Sequence, residues 1–203
     1  MRIATVLGSP RKEGNTARVL GAFEKLMIQQ GHAIDRINIA DHEVKGCLGC
    51  QACREVRHEP GCRQRDDAVM IFERLIASDA VIYATPLYTY GFTAQMKALI
   101  DREYCLVTGS GTPDYCSLLQ GKRTALLVTC GGPVEENADL IQIVFDREGD
   151  YQQWRIVGKY VVPFCGSPDA LGETAWETAR QMARDVVGQV RGDNASARHI
   201  SQP

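Results

Sequence analysis

Apolar positions along the chain recur at two spacings. Residues 2–8 are a short β-branched run closed by a glycine, the pattern of a strand covered on both faces. From 16 to 30 the period lengthens: Val19, Leu20, Phe23, Leu26 and Met27 fall on one helical face, and Gly31 supplies a stop. A second strand is predicted at 33–39, followed by a polar, cysteine-rich stretch at 41–65, a length that in compact domains marks a functional loop. Helix 66–77 presents Val69, Phe72, Leu75 and Ile76; strand 80–85 and helix 92–104 come next, then strand 123–130, helix 134–147 and strand 155–165. The clearest stripe is the last, with Ala175, Trp176, Ala179, Met182, Ala183, Val186, Val187 and Val190 forming one continuous core-facing edge. Residues 191–203 are a polar tail, expected to be mobile.

Such strict alternation predicts an α/β fold: a five-stranded parallel sheet between two helical layers, in one domain over 1–190 with 41–65 as an insert. In such sheets ligands meet the C-terminal ends of the strands, at the switch point of the strand order. Each strand's last residues are therefore the places to look for chemistry.

Composition narrows the partners. The 203 residues carry a formal net charge of −2, which gives no electrostatic reason to expect nucleic acid or an anionic membrane. No apolar run approaches the length of a membrane span, and the N-terminus lacks the apolar stretch of a signal peptide. A cytoplasmic location is expected by default. In a reducing compartment, eight cysteines point to metal or redox chemistry before disulfides.

The first strand end carries Gly8-Ser9-Pro10-Arg11-Lys12-Glu13-Gly14-Asn15-Thr16, running directly into a helix. A helix start leaves N–H groups without partners and places the positive end of its dipole there, so this loop is built for an anion. Ser9, Asn15 and Thr16 add donors, Arg11 adds a cation suited to phosphate, and Gly14 permits close backbone approach. Neither Gly-x-Gly-x-x-Gly nor the Gly-Lys-Ser/Thr ending of a nucleoside triphosphatase is present. The bland alternative is a turn with Asn15 or Thr16 as helix cap.

These residues resemble the FMN phosphate loop of the NADPH-dependent FMN reductase and iron–sulfur flavoprotein family. Thr85-Pro86-Leu87-Tyr88-Thr89-Tyr90-Gly91, followed by Gln95-Met96-Lys97-Ala98-Leu99-Ile100-Asp101-Arg102, is similar to that family's second flavin loop and its helix. The resemblance implies a flavodoxin-like fold and an NAD(P)H-dependent oxidoreductase that passes electrons through bound FMN to a quinone, flavin or other small acceptor. It implies an FMN site at Ser9, Arg11, Asn15, Thr16, Pro86, Leu87, Tyr88, Tyr90, Gly91, Thr129, Gly131 and Gly132, with the flavin and no side chain carrying the chemistry. Tyr88 and Tyr90 offer amphipathic aromatic surface, and Cys130 reads as a small buried filler.

Cys47-x2-Cys50-x2-Cys53-x8-Cys62 has the opening spacing of a [4Fe–4S] motif, and the same four thiols suit zinc or stand free. The last gap is longer than the compact motif of the iron–sulfur flavoproteins. An electron carrier between FMN, a cluster and a redox partner protein is thus the second reading, and a zinc-stabilised interaction domain the third. A flavin at the edge of a small domain leaves one face open, so a homodimer or homotetramer is expected.

Overall fold

A computed structural model describes residues 1–188. In chain order the strands are β1 (Arg2–Leu7), β2 (Ala33–Asn38), β3 (Ala80–Pro86), β4 (Val107–Thr108), β5 (Cys116–Ser117), β6 (Arg123–Thr129) and β7 (Arg155–Val162). The helices are α1 (Asn15–Gln29), α2 (Ala68–Ile76), α3 (Ala94–Ile100), α4 (Asp139–Tyr151) and α5 (Gly172–Val187). Five strands form one parallel sheet in the order β2-β1-β3-β6-β7, and β4 and β5 pair antiparallel as a small separate ribbon. Omitting that ribbon, the order is the 2-1-3-4-5 of a flavodoxin-like doubly wound sheet, with its switch point between β1 and β3.

Alternation along the strands divides the core in two. Ile3 and Leu7, Ile82 and Ala84, and Leu127 face α1 and α5, where Val19, Leu20, Phe23, Ala179 and Met182 close the layer. Ala4 and Val6, Val81 and Tyr83, and Leu126 face α2, α3 and α4, packed by Phe72, Leu75, Leu99 and Phe145. The predicted last-helix stripe holds: Ala175, Ala179, Met182, Ala183 and Val186 are buried. Val187 lies at its exposed margin. Val190 and the tail at 191–203 lie outside the described residues.

Boundaries moved where side chains intervened. The helix predicted at 92–104 is shorter because the Thr93 hydroxyl accepts the Met96 N–H as an N-cap. After it the chain breaks into a 3-10 turn, Glu103–Leu106, that carries Arg102 and Glu103 inward. The helix predicted from 134 starts at Asp139, since Asn137 donates to the Pro133 carbonyl at 2.7 Å and holds that stretch as a turn. Strand β7 stops at Val162, before Pro163, which has no N–H for the ladder. Sequence periodicity gave no sign of β4 and β5, two residues each.

Gly8 is required where β1 passes α3. A Cβ there would stand 2.8 Å from the Cβ of Met96, and the Thr93 hydroxyl donates to the Gly8 carbonyl at 2.6 Å. This contact fixes the start of α3 against the first loop.

Glu103 is fully buried, accepting from the Tyr83 hydroxyl at 2.8 Å, while its other carboxyl oxygen has no partner among the described residues. Burial, with the neighbouring Glu148 carboxylate adding to it and the Tyr83 bond opposing, raises its pKa well above 4.5. The unfolded chain therefore loses this proton as pH rises past the ordinary carboxylate range while the folded chain keeps it, so stability falls towards alkaline pH. Glu103→Gln is expected to stabilise the protein at pH 8 by on the order of 1 kcal/mol or more, read as a higher melting temperature, and to give no gain at pH 4. Thermal denaturation at both pH values checks this; an equal shift at each would show that the carboxyl is not the source.

Candidate functional site

At the C-terminal edge of the sheet, three strand ends and one further loop enclose a cavity of about 450 Å³. That volume suits a small-molecule cofactor. Ser9, Arg11, Gly14, Asn15 and Thr16 line it from the β1–α1 loop; Pro86, Leu87 and Tyr88 from the β3–α3 loop; Thr129, Cys130 and Gly131 from the end of β6.

The start of α1 is free of side-chain caps. Gly14 is the N-cap residue in extended geometry, and neither Asn15 nor Thr16 caps the helix. Its first N–H groups thus remain available to an anion, with no acidic side chain in the first turn to compete. Ser9 braces the loop: its hydroxyl donates to the Arg11 carbonyl at 3.0 Å and accepts the Arg11 N–H at 3.1 Å. Among the basic side chains nearby, Lys12 pairs with Asp41 and Arg18 approaches Asp169 at 3.8 Å, whereas Arg11 is exposed at the cavity wall with no ion pair among the described residues. Gly14 is close-packed too, since a Cβ on it would lie 3.3 Å from that of Arg11.

Two predicted donors have a second role. The Thr16 and Thr129 hydroxyls are 2.6 Å apart, tying the start of α1 to the end of β6. Asn15 donates its amide to the Gly166 carbonyl at 2.8 Å, and its Oδ1 is buried without a partner among the described residues. An orphaned acceptor beside an anion cradle calls for a ligand that carries hydroxyl donors as well as a phosphate. The ribityl phosphate of FMN has both.

The β3–α3 loop is held as a hairpin: Tyr88 and Gly91 exchange backbone hydrogen bonds, both 3.0 Å. The two residues between them, Thr89 and Tyr90, have φ of 47° and 63°, the left-handed conformation of a tight two-residue turn. Strain of this kind collects at ligand-binding loops, and for a β-branched threonine it is a genuine outlier. The turn points Tyr90 to solvent, so Tyr90 and Gly91 lie outside the cavity lining while Tyr88 is in it. Gly132 also lies outside, its carbonyl taken by the Phe164 N–H at 3.3 Å. Burial pushes the Cys130 thiol up, and it donates to the Gly132 carbonyl at 3.4 Å, in keeping with a filler.

Cys165, Gly166, Ser167 and Pro168, in the loop after β7, complete the wall; the family resemblance in the sequence does not point to them. A signal existed: Gly166-Ser167-Pro168 repeats the Gly8-Ser9-Pro10 composition at another strand end.

A second cavity of about 480 Å³ shares no lining residue with the first. Cys47, Cys50, Cys53 and Cys62 all line it, with a fifth cysteine, Cys105, at its floor. The eight-residue gap folds back on itself. Val56 N–H donates to the Cys53 carbonyl at 3.2 Å, and Gly61 passes so close that a Cβ would stand 2.7 Å from that of Val56. Two sulfurs accept hydrogen bonds: Cys47 from the Gly49 N–H at 3.4 Å, and Cys62 from Arg102 at 3.2 Å. Burial raises the Cys53 thiol and pushes Cys105 up to about 12, so Cys105 is a neutral packing thiol. Among the described residues, no three Cys, His, Asp or Glu side chains converge as they would around one metal ion. The thiols rim a space; they do not meet at a point.

Residues 1–145 match the family model described as NADPH-dependent FMN reductase. The chain belongs to that family. Its fold, its oxidoreductase class and FMN as its cofactor follow from the membership. An iron–sulfur flavoprotein of Archaeoglobus fulgidus is 38% identical over 190 residues, covering 92% of this chain and 79% of that protein. One of Methanosarcina thermophila is 37% identical over 106 residues, covering 52% of this chain and 54% of that protein; this match thus spans about half the relative's length. In fold, the NAD(P)H:quinone oxidoreductase of Methanothermobacter marburgensis superposes with a TM-score of 0.71 at 18% identity, covering 95% of this chain and 99% of that one. No helix among the described residues is long and apolar enough to cross a membrane.

Proposed function

We propose that the protein catalyses NAD(P)H-dependent reduction through FMN held in the 450 Å³ cavity, and passes the electrons to a quinone, a flavin or another small acceptor. The observation that carries this is the uncapped start of α1 opening onto a cavity beside an acceptor and an arginine that have no partner among the described residues. Arg11 and the first N–H groups of α1 neutralise the phosphate, Asn15 Oδ1 accepts a ribityl hydroxyl, and the Thr16–Thr129 pair fixes the two loops on either side. Pro86, Leu87 and Tyr88 form the ring-facing wall; Tyr90 and Gly91 shape the outer rim of the same hairpin, and Gly131 and Gly132 keep the β6 end open to close approach. When bound, FMN supplies the hydride acceptor and donor. Anaerobic addition of NADPH or NADH to the FMN-loaded protein should bleach the flavin band, and a quinone should restore it. Flavin that stays oxidised with both nucleotides would remove the reductase reading.

A second reading is favoured by the cysteine cavity and by the names of the relatives: an iron–sulfur flavoprotein that carries electrons between FMN, a [4Fe–4S] cluster and a redox partner protein. Cys47, Cys50, Cys53 and Cys62 are its ligands in this reading. Four thiols rimming a space of this size, two already accepting hydrogen bonds, suit a cubane better than a single zinc ion. The same proposal takes residues 1–190 as one FMN-binding domain with 41–65 as its cluster-bearing insert, acting in the cytoplasm. Tyr88 in the cavity wall and Tyr90 on the same hairpin are exposed, and they support a homodimer or homotetramer in which a neighbour covers the flavin face.

A further inference from the structure

Arg102 has no exposed side-chain surface, and neither has the side chain of its partner Asp66. A buried guanidinium is costly, and every hydrogen bond it makes identifies what it is held for. One terminal nitrogen binds Asp66 and donates to the Lys45 carbonyl at 3.3 Å; the other donates to Cys62 Sγ at 3.2 Å. Nε has no partner among the described residues, and Arg102 lines the cysteine cavity. Asp66 in turn accepts the Lys45 N–H at 2.9 Å and the Ala68 N–H at 3.3 Å.

One buried ion pair therefore pins both ends of the cysteine segment: Lys45 lies two residues before Cys47, and Cys62 is its last thiol. Simple bracing of a loop would be met by Asp66 and backbone alone. A cation that spends a donor on the sulfur itself does more, because it offsets negative charge on a thiolate and on whatever that thiolate binds.

We infer that Arg102 is a positioning residue for the iron–sulfur centre: through its hydrogen bond to Cys62 it orients that ligand and raises the centre's reduction potential, while Asp66 holds the guanidinium and lowers that potential. This rests on the cluster reading above. One-electron reduction adds a negative charge to a centre already surrounded by four thiolates. A fixed cation with a hydrogen bond to one sulfur favours that reduced form, and a fixed carboxylate disfavours it.

The test uses full-length protein, purified or reconstituted without oxygen, with iron and sulfide assayed and the centre's midpoint potential read by spectroelectrochemical titration. Arg102→Gln is expected to shift the potential to a more negative value and Asp66→Asn to a more positive one. Arg102→Lys, which keeps the charge but not the planar two-sided donor, should fall between wild type and Arg102→Gln. Opposite signs are the decisive outcome, because a merely structural role would lower iron content in both variants without moving the potentials apart. Equal potentials in iron-loaded variants and wild type, or shifts of one sign in both, would overturn the inference while leaving the cluster reading intact. Should Arg102→Gln fail to fold, the positive shift in Asp66→Asn decides alone. Wild-type protein that takes up no iron would overturn the cluster reading and this inference with it.

Discussion

Cys62→Ser is expected to strip the protein of iron while leaving flavin binding unchanged. The cysteine and flavin cavities share no lining residue, so each cofactor should be lost separately. In the cluster reading Cys62 is the ligand at the far end of the eight-residue gap, and Gly61 beside it is packed against Val56 and Cys53 with no room for a side chain. Serine is a poorer ligand for iron than a thiolate, so the content should fall from about four irons per chain to below one. Iron and sulfide assays on anaerobically purified protein, with FMN measured in the same samples, check both halves. Iron retained in the variant would take Cys62 out of the ligand set; FMN lost with the iron would contradict the independence of the sites.

The second large effect is on the phosphate. Arg11→Ala should weaken FMN binding about tenfold or more, the scale of one charge-assisted hydrogen bond. Riboflavin, which lacks the phosphate, should bind wild type and variant alike. Ser9 spends both its hydrogen-bonding directions inside the loop, so in the proposed site the anion falls to Arg11 and the α1 N–H groups. Titrations of apoprotein with the two ligands separate loss of the phosphate contact from general damage. Equal weakening for both would mean that the loop had moved; unchanged FMN affinity would remove Arg11 from the site.

Local order was legible in the chain because its signals are local. The strand–loop–helix at residues 2–16 carries its own glycines, its arginine and its helix start, and Ser9, Arg11, Gly14, Asn15 and Thr16 of it recur in the cavity wall. What the sequence could not display is pairing at a distance. Thr16 was readable as a donor to phosphate, but its partner Thr129 is 113 positions away. By periodicity Arg102 belongs to a longer helix, since nothing near it names Asp66, 36 residues back, or Cys62, 40 back. Tyr90 and Gly91 looked equivalent to Tyr88 until the left-handed turn set them apart, and that turn is carried by residues whose intrinsic preference is against it. The loop after β7 was missed for a different reason. Its Gly166-Ser167-Pro168 stands at a strand end like the first loop, but the predicted strand ran on to 165 and hid the turn.

The ultraviolet–visible spectrum of the purified protein, before and after a titration with FMN, tests the central claim most directly. The account predicts flavin bands that stay with the protein through gel filtration, saturate at one FMN per chain, and are released when the protein is denatured. A protein that elutes without flavin after loading with excess FMN would contradict it.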